Sequence, residues 1–398
     1  MRLLILTQYY FPDIGAPQTR LAALARALIA RGHEVEVVTA MPHHLMGRTH
    51  AGYRARLYVR ESLGGVVVHR TWVYAATGTG VRRIANYLSF TFSSLLGLAL
   101  ARRPDAVFVE SPPLFLSIPG WLAAKVYGAA LIFNVADLWP DAVRELGVVR
   151  AGPLLRAAER LEAWTYRRAT VVNAVTAGIE SDLLERKRVP PAKLRFLPNG
   201  IDVDAFAPRE RSVSLAHRLH LDGRAVFLYA GTHGIAQALH TVVDAAALAP
   251  EAIVLFVGSG STKLAIVQRA RDLALENVRF VDPVPLDEMP DYFSLACASI
   301  VPLSRSELHR GARPSKLFPS LSSGVPVIYS GEGEGAAIVE SAGAGIVIPP
   351  ETPCAMAEAM RRLMGDSIER ARMSANARAV AVEQFAWSGI VDRWLASL

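Results

Sequence analysis

Short apolar runs alternate with helix-length amphipathic segments along the whole of this chain. In the first half the runs read LLILT, VEVVT, AVFVE and LIFNV, and in the second half AVFLYAG, AIVLFVG, VPVIYS and GIVIPP. Such alternation is typical of parallel strands joined by helices that cover both faces of a sheet. Because the scheme occurs twice, the sequence predicts an α/β protein with two Rossmann-like, doubly wound domains.

The length of the chain supports the same division. One hydrophobic core rarely fills 398 residues, whereas two domains of ordinary size fit this length. Turn residues interrupt the pattern between Asn199 and Pro208, so we expect a first domain over residues 1–203 and a second over residues 204–382. Ligands of such sheets bind beyond the carboxyl ends of the strands, and the facing loops are therefore expected to line one cleft.

Cysteine usage and the N-terminus indicate a reducing, cytoplasmic location. The two cysteines, Cys297 and Cys354, stand in neither a CxxC nor a Cys/His spacing, which argues against a disulfide framework and a zinc site. The apolar run from Leu3 to Leu6 is too short for a signal peptide and reads as a first strand.

Charge is distributed unequally between the two halves. Residues 1–200 carry 25 Lys and Arg against 14 Asp and Glu, whereas residues 201–398 carry 18 against 22. The sequence contains no helix-turn-helix, zinc-finger or RNP-like signature, so no nucleic-acid partner is expected. An anionic membrane surface or a phosphorylated substrate is the better match for the basic first half.

One uncharged segment has the minimum length of a membrane-spanning helix. It comprises the 18 residues 84–101, between Arg82-Arg83 and Arg102-Arg103. Asn, Thr and Ser interrupt the segment, and this argues against a membrane-spanning helix. Two interpretations of this segment stay open: a buried helix of the first domain, and an interfacial helix that anchors the domain to a membrane. Either reading leaves the protein soluble or peripheral on the inner face of the membrane.

Six segments form an ordered set of motifs along the chain. They are YFPDIGAPQTRLAALARALIARGHEVEVVT (10–39), FNVADLWPDAVRELG (133–147), LPNGIDVDAF (197–206), YAGTHGIAQALHTVVDAA (229–246), PSKLF (314–318) and SAGAGIVIPP (341–350). Together they resemble the motifs of the retaining family-4 glycosyltransferases, which have the GT-B fold. Within that family the chain resembles the fucosamine-transferase branch of bacterial surface-polysaccharide enzymes.

The resemblance implies a reaction. A hexosyl or N-acetylhexosaminyl group would pass from a nucleoside diphosphate sugar, with UDP favoured over GDP, to a glycan or polyprenyl-diphosphate-linked acceptor. Retention of anomeric configuration, independence of metals and the absence of a cofactor are implied too. The resemblance also implies that a C-terminal helix over residues 383–398 packs back onto the first domain.

Several residues of the second half are expected to hold the donor. Gly231, Thr232 and His233 follow a strand and precede a helix, where backbone amides can receive a diphosphate. Family members place an Arg and a Lys shortly after this glycine, and this chain has neither. Lys316 in the motif PSKLF is therefore expected to supply the charge.

Neighbours of these residues complete the expected donor site. Arg310 and Arg313 are undecided between charge donors and solvated side chains, and solvated side chains are the usual case for exposed arginines. The remaining donor candidates flank Lys316 or open the helix after VPVIYS, where backbone amides can hold a hexose or phosphate; they are Ser315, Leu317, Glu334, Gly335 and Ala336.

Candidates for the acceptor lie in the first half. Gly15 and Ala16 open a helix after the first strand, and Arg20 lies one turn further on. Asp137 ends the strand LIFNV, where it is the catalytic candidate, and Trp139 is a sugar-stacking candidate. The structural alternatives are a turn glycine with a surface arginine, and a helix N-cap Asp followed by Pro.

The chain also departs from its family. Members of the family often carry two glutamates separated by seven residues, and the second accepts hydrogen bonds from the donor ribose. This chain has Gly311 and Pro319 at these positions, and Ser320 is a substitute only in polarity. The missing glutamates suggest a non-catalytic homologue as one alternative, and a sugar-nucleotide epimerase, which shares the GT-B architecture, stays open as another.

Two patterns that suggest a metal have structural explanations. Asp202 and Asp204 spell DxD, but they lie in the interdomain segment and read as a turn. His43 and His44 point to opposite sides of an extended chain and lack a third ligand. No metal site is expected.

Overall fold

The chain divides into two compact units in a computed structural model. Residues 1–199 and 390–398 form the first unit, and residues 200–389 form the second. The boundary expected after residue 203 lies after residue 199, and of the expected C-terminal segment only residues 390–398 belong to the first unit. The structure describes residues 1–13, 15–43, 47–76, 80–141, 152–221, 223–306, 309, 311 and 313–398.

The first unit is built on an eight-stranded sheet in the order β3-β4-β2-β1-β5-β6-β7-β8. All neighbouring strands are parallel except β3 and β4, which pair antiparallel at one edge. The strands are β1 (Arg2–Leu6), β2 (Glu34–Ala40), β3 (Tyr58–Leu63), β4 (Val66–Thr71), β5 (Ala106–Ser111), β6 (Ala130–Val135), β7 (Val171–Ala174) and β8 (Leu194–Phe196).

Helices cover this sheet. They are α1 (Ala16–Ile29), α2 (Val81–Leu100), α3 (Ser117–Tyr127), α4 (Pro153–Arg168) and α5 (Ala177–Glu185). Strands β1 and β5 are buried along almost their whole length, which explains why their sequences are continuous apolar runs. No helix of the described residues is long and apolar enough to cross a membrane.

The β3–β4 hairpin is a feature that the sequence analysis did not predict. Its turn is formed by Gly64 and Gly65, both with positive φ angles (57° and 84°) that favour glycine. Strand β3 reads YVRESL and is only partly buried, so it lacks the apolar run that marks strands such as β1 and β5.

The second unit is built on a six-stranded parallel sheet in the order β11-β10-β9-β12-β13-β14. The strands are β9 (Val226–Ala230), β10 (Ile253–Val257), β11 (Val278–Val281), β12 (Ala296–Pro302), β13 (Val327–Ser330) and β14 (Gly345–Ile348). The helices are α6 (Val213–Arg218), α7 (Leu239–Leu248), α8 (Lys263–Asp272), α9 (Met289–Ser294), α10 (Leu317–Ser322), α11 (Glu334–Ala342), α12 (Pro353–Gly365) and α13 (Ser367–Val380). The expected pair of Rossmann-like α/β domains is confirmed.

The last helix, α14 (Trp387–Ser397), begins in the second unit and ends in the first. Trp394 is buried within the first unit, where its indole N–H donates to Asn173 Oδ1 at 3.0 Å. Its ring meets Phe108 of β5 edge-on, with 6.1 Å between centroids. Arg31 of α1 also binds both carboxylate oxygens of Asp392, at 2.5 and 2.8 Å.

We predict that Trp394→Ala destabilises the first unit by about 3–5 kcal/mol, because it opens a large cavity in a packed core. Trp394→Phe should cost less, since it keeps an aromatic ring and loses the hydrogen bond to Asn173. Urea unfolding followed by fluorescence and by circular dichroism would measure both changes. Leu398→Ala is the control, because Leu398 is 45% exposed on the same helical end; an equal loss of stability in the control would contradict this account.

Candidate functional site

A buried ion pair lies at the carboxyl edge of the first sheet. Arg20 of α1 pairs with Glu110 of β5, and their side chains are 11% and 3% exposed. Arg20 also donates to Asn199 Oδ1 at 3.2 Å, while Asn134 Nδ2 of β6 donates to Glu110 Oε2 at 2.9 Å. Burial raises the pKa of Glu110, and the Arg20 and Asn134 contacts oppose that rise. Arg20 therefore offers a ligand little net charge, and its side chain ties α1 to the strand ends.

Gly15 precedes the first turn of α1, whose first residue is Ala16. A Cβ atom at Gly15 would lie 2.5 Å from Gln18 Oε1, so a larger residue requires Gln18 to move. Gln18 is 1% exposed, and neither atom of its amide has a hydrogen-bond partner among the described residues. The start of α1 thus holds a polar group that is buried close to the strand ends.

Two aspartates in the segment after β6 lie in different environments. Asp137 is exposed, and its carbonyl accepts a hydrogen bond from the Trp139 N–H at 2.9 Å. The Trp139 ring is half-buried against Phe115, with 5.7 Å between centroids. Asp141, which the sequence analysis did not single out, is buried and lies 2.9 Å from Lys187 Nζ. Asp137 is thus the more exposed of the two aspartates, whereas Asp141 is buried beside Lys187.

In the second unit, two glycine loops touch at the ends of β9 and β10. Gly231 N–H donates to Val257 O at 2.9 Å, and His233 N–H donates to Ser259 O at 2.9 Å. A Cβ atom at Gly258 would lie 2.0 Å from Gly231 O, and Gly258 also has a φ of 142°. The GSG sequence at 258–260 is therefore explained by the close approach of the two backbones.

His233 is fully buried beneath this loop. Its ring lies 5.6 Å from the Tyr229 ring and 6.0 Å from the Phe256 ring, and neither ring nitrogen has a hydrogen-bond partner among the described residues. Burial, together with the nearby positive charges of Lys263 and Lys316, lowers the pKa of His233 to about 4. The imidazole is therefore neutral at pH 7, and in this conformation a ligand would contact the loop backbone.

Lys316 immediately precedes α10 and lies beside Gly231. Its Nζ lies 5.4 Å from the centroid of the Tyr229 ring, and its Cε is 3.3 Å from the Cβ position of Gly231. Burial lowers the pKa of Lys316 to about 8. Its ammonium has no ion pair or hydrogen bond within the described part of the chain, whereas Lys263 Nζ lies 2.6 Å from Asp282 Oδ1. Lys316 is thus a cation with capacity for an external anion.

Other donor candidates have structural partners. Arg313 pairs with Glu334 in the first turn of α11, so these two charges meet each other. Gly335 leaves room for Tyr329, since a Cβ atom there would lie 2.2 Å from the tyrosine hydroxyl oxygen. The remaining candidates differ in exposure: Leu317 and Ala336 are buried in the core, Ser315 and Thr232 are exposed, and Arg310 lies outside the described residues.

The positions of the two missing glutamates are also visible. Gly311 is exposed, and Pro319 lies in the first turn of α10. The neighbouring Ser320 is fully buried, and its hydroxyl oxygen lies 2.8 Å from Ser299 Oγ and 2.9 Å from Lys316 O. Ser320 therefore cannot replace a ribose-binding carboxylate in this conformation.

A cavity of about 350 Å³ lies beside the loop that precedes α11. Arg305 is part of its lining and donates to Pro350 O at 3.2 Å. His309 Nδ1 lies 2.8 Å from Ser304 O. The cavity is lined by Leu303, Ser304, Arg305, Ser306, His309, Gly331, Glu332 and Pro350. It combines charged and hydroxyl side chains with backbone groups, a composition suited to a polar ligand.

Within the described residues, no group of three or more His, Cys, Asp and Glu side chains is placed to hold a metal ion. His43 Nδ1 lies 2.8 Å from Met41 O, and its Nε2 lies 3.1 Å from Asn86 Nδ2. His44 lies outside the described residues. Asp202 Oδ1 accepts a hydrogen bond from the Ala205 N–H at 3.0 Å, in agreement with a turn.

Comparison with known proteins gives two family matches. A Glycosyl transferase 4-like domain matches residues 15–200, and Glycosyl transferases group 1 matches residues 215–380. WcaI of Escherichia coli K12, a glycosyl transferase named for colanic acid biosynthesis, is 26% identical over 343 residues, or 83% of this chain and 84% of WcaI. The D-rhamnosyltransferase WbpZ of Pseudomonas aeruginosa is 30% identical over 200 residues, which is 50% of each chain.

Solved structures show the same architecture. Anabaena HepE in complex with UDP and glucose matches with a TM-score of 0.73 at 16% identity, covering 100% of this chain and 99% of HepE. Sucrose-phosphate synthase from Thermosynechococcus elongatus matches with a TM-score of 0.75 at 18% identity, covering 98% and 96%. The expected GT-B fold is thereby confirmed.

We predict that Lys316 titrates near pH 8 in the unliganded protein, because burial disfavours its charged form. Added pyrophosphate should raise this pKa, since an anion favours the ammonium, and binding should then take up protons above pH 8. NMR of 13C-labelled lysine side chains would follow the titration, with Lys316→Arg identifying the resonance. A Lys316 signal that titrates near the ordinary value of about 10.4 would contradict the assignment.

Proposed function

This chain carries the two glycosyltransferase domains of a GT-B enzyme, and we propose that it transfers a sugar from a UDP-sugar. The acceptor would be a hydroxyl of a glycan or of a polyprenyl-diphosphate-linked molecule. The proposed setting is the synthesis of bacterial surface polysaccharide, at the cytoplasmic side of the membrane. The names of WcaI and WbpZ support the setting and the class of reaction. The resemblance to the fucosamine-transferase branch favours an N-acetylhexosaminyl donor.

The observation that carries this proposal is Lys316 beside the Gly231 loop. Lys316 is a half-buried ammonium with no counter-charge among the residues that the structure describes. Such a group is suited to a diphosphate, whose negative charge grows when the sugar leaves. Backbone amides of the loop after β9 can contribute further hydrogen bonds. Lys263 and Arg313 already have carboxylate partners, so Lys316 is the best-suited cation among these three.

The donor sugar would occupy the polar cavity beside Gly331 and Glu332. The cavity volume of about 350 Å³ is in the range of small-molecule sites. Arg305 and Ser306 line it and supply groups that can bind sugar hydroxyls or an acetamido group.

The acceptor would bind at the carboxyl edge of the first sheet. Asp137 is the exposed carboxylate there, and Trp139 offers a half-buried ring for sugar stacking. The Arg20–Glu110 pair would hold α1 and the strand ends in place beneath the acceptor. In this proposal Asp137 accepts a hydrogen bond from the acceptor hydroxyl and orients its oxygen.

The reaction would retain the anomeric configuration and proceed without a metal. The C1–O bond to the diphosphate breaks while the acceptor oxygen bonds to C1, and the acceptor proton passes to a diphosphate oxygen. Lys316 would stabilise the charge that develops on the departing diphosphate. Because Pro319 stands where the family has its ribose-binding glutamate, the ribose would be bound by groups other than that carboxylate.

We predict that Lys316→Ala weakens UDP binding by roughly 1.5–3 kcal/mol, or about tenfold to more than a hundredfold, because a charge-assisted hydrogen bond is lost. Isothermal titration calorimetry with UDP at pH 7 would measure the change. Arg271→Ala, which removes an exposed cation from α8, is the matched control and should bind UDP like the wild type. Equal UDP affinity in the Lys316 variant would refute the diphosphate role of this residue.

A different pattern is expected for Asp137→Asn. UDP affinity should stay within a few-fold of wild type, while transfer to the acceptor falls by a larger factor, since the substitution removes acceptor contacts alone. Product analysis with the donor alone would detect an isomerised sugar, the result expected of an epimerase. UDP binding without turnover would indicate a non-catalytic homologue, and a parallel loss of UDP binding and transfer would place Asp137 at the donor.

A further inference from the structure

The outer face of helix α2 is apolar, whereas the polar residues Asn86, Thr91 and Ser94 are buried. Between Arg82 and Arg102, every exposed residue of the helix is apolar, and Phe92 is the most exposed of the large ones at 71%. These residues recur every three or four positions and form one stripe along the helix. The stripe comprises Ala85, Leu88, Phe92, Leu95, Leu96, Ala99 and Leu100.

The buried hydroxyl groups of α2 donate hydrogen bonds to the backbone of the helix itself. Thr91 Oγ1 donates to Tyr87 O at 2.8 Å, and Ser94 Oγ donates to Thr91 O at 2.8 Å. Gly97 packs against Val38, where an added Cβ atom would lie 2.7 Å from Val38 Cγ1. Small and hydroxyl residues therefore serve the internal packing, and four of the five leucines of α2 are exposed.

Helix α3 packs beside α2 and extends the stripe. Its exposed apolar residues Ile118, Leu122 and Val126 lie four positions apart and are 46%, 42% and 71% exposed. Neither helix contains an Asp or Glu. Soluble proteins rarely leave large apolar patches exposed unless they bind something.

The rim of this patch is cationic and aromatic. Arg82 is exposed at the start of α2, while Arg103 follows its end and donates to Tyr127 O of α3 at 3.0 Å. Lys125 Nζ lies 5.3 Å from the Trp121 ring, and the Trp121 and Trp164 rings are in edge contact at 5.2 Å. Arginines, lysines and tryptophans at the edge of an apolar stripe are the composition of interfacial membrane helices.

We propose that the outer face of α2 and α3 docks this protein onto an anionic lipid bilayer, with both helices lying in the plane of the interface. The apolar stripe would enter the boundary between headgroups and acyl chains, and Arg82, Arg103 and Lys125 would contact lipid phosphates. A second copy of this chain is the less suitable occupant, since two such rims would bring like charges together. The inference does not depend on the proposed transfer reaction, because it rests on surface composition alone.

Vesicle flotation of the full chain tests the proposal. Wild type should float with vesicles of phosphatidylcholine and phosphatidylglycerol, bind far less to pure phosphatidylcholine, and detach as salt rises. The double variant Phe92→Ser/Leu96→Ser should lose at least about tenfold in partitioning, since it removes two large apolar groups without adding charge. Arg82→Gln and Lys125→Gln should each lose about fivefold.

The matched control is Ile368→Ser/Val382→Ser in the second unit, which removes side chains that are 83% and 46% exposed and should bind vesicles like the wild type. Equal partitioning of the α2 variant and the wild type would overturn the proposal, as would wild-type binding to neither kind of vesicle. If the wild type dimerises without lipid and the α2 variant does not, the apolar face binds a second copy of the chain instead. UDP binding should be unchanged in every variant when it is measured in parallel. A loss of vesicle binding with intact UDP binding would therefore concern the membrane surface alone and not the transferase proposal.

Discussion

Burial of parallel strands on both faces is the constraint on which the rest of this structure depends. A parallel pair needs a long crossover, so each strand is followed by a helix, and all strand ends of one unit meet at the same sheet edge. The ends of β5 and β6 thereby bring Glu110 and Asn134 together with Arg20. In the second unit, the ends of β9 and β10 bring Gly231 against Gly258.

Ion pairing determines which basic side chains at the two sheet edges have charge to offer a ligand. In the first unit Arg20 is neutralised by Glu110, and in the second unit Arg313 is neutralised by Glu334. Lys316 differs, because burial against Tyr229 and Gly231 lowers its pKa without supplying a carboxylate. Desolvation without a counter-ion costs stability, and a ligand that supplies negative charge would recover it.

Helix α2 shows how the sheet controls the surface as well as the core. The close approach of Gly97 to Val38 and the buried hydroxyls of Thr91 and Ser94 require small residues on the inner side. Helix periodicity then leaves Phe92 and Leu96 on the outer side. The composition of this segment fits a buried helix and an interfacial helix equally well, because the same residues suit both interpretations until the packed face is known.

The sequence alone predicts the two α/β domains, because buried parallel strands need apolar runs that are visible without any tertiary contact. It also predicts the glycine turn after β9, since Gly231 directly follows such a run. The β3–β4 hairpin escaped it, because a half-buried edge strand such as YVRESL lacks the apolar run. Only the tertiary structure distinguished the paired Arg20 and Arg313 from Lys316, and the buried Asp141 from the exposed Asp137. Ion pairing and desolvation depend on residues distant in sequence, such as Glu110 for Arg20, and spacing along one chain does not contain that information.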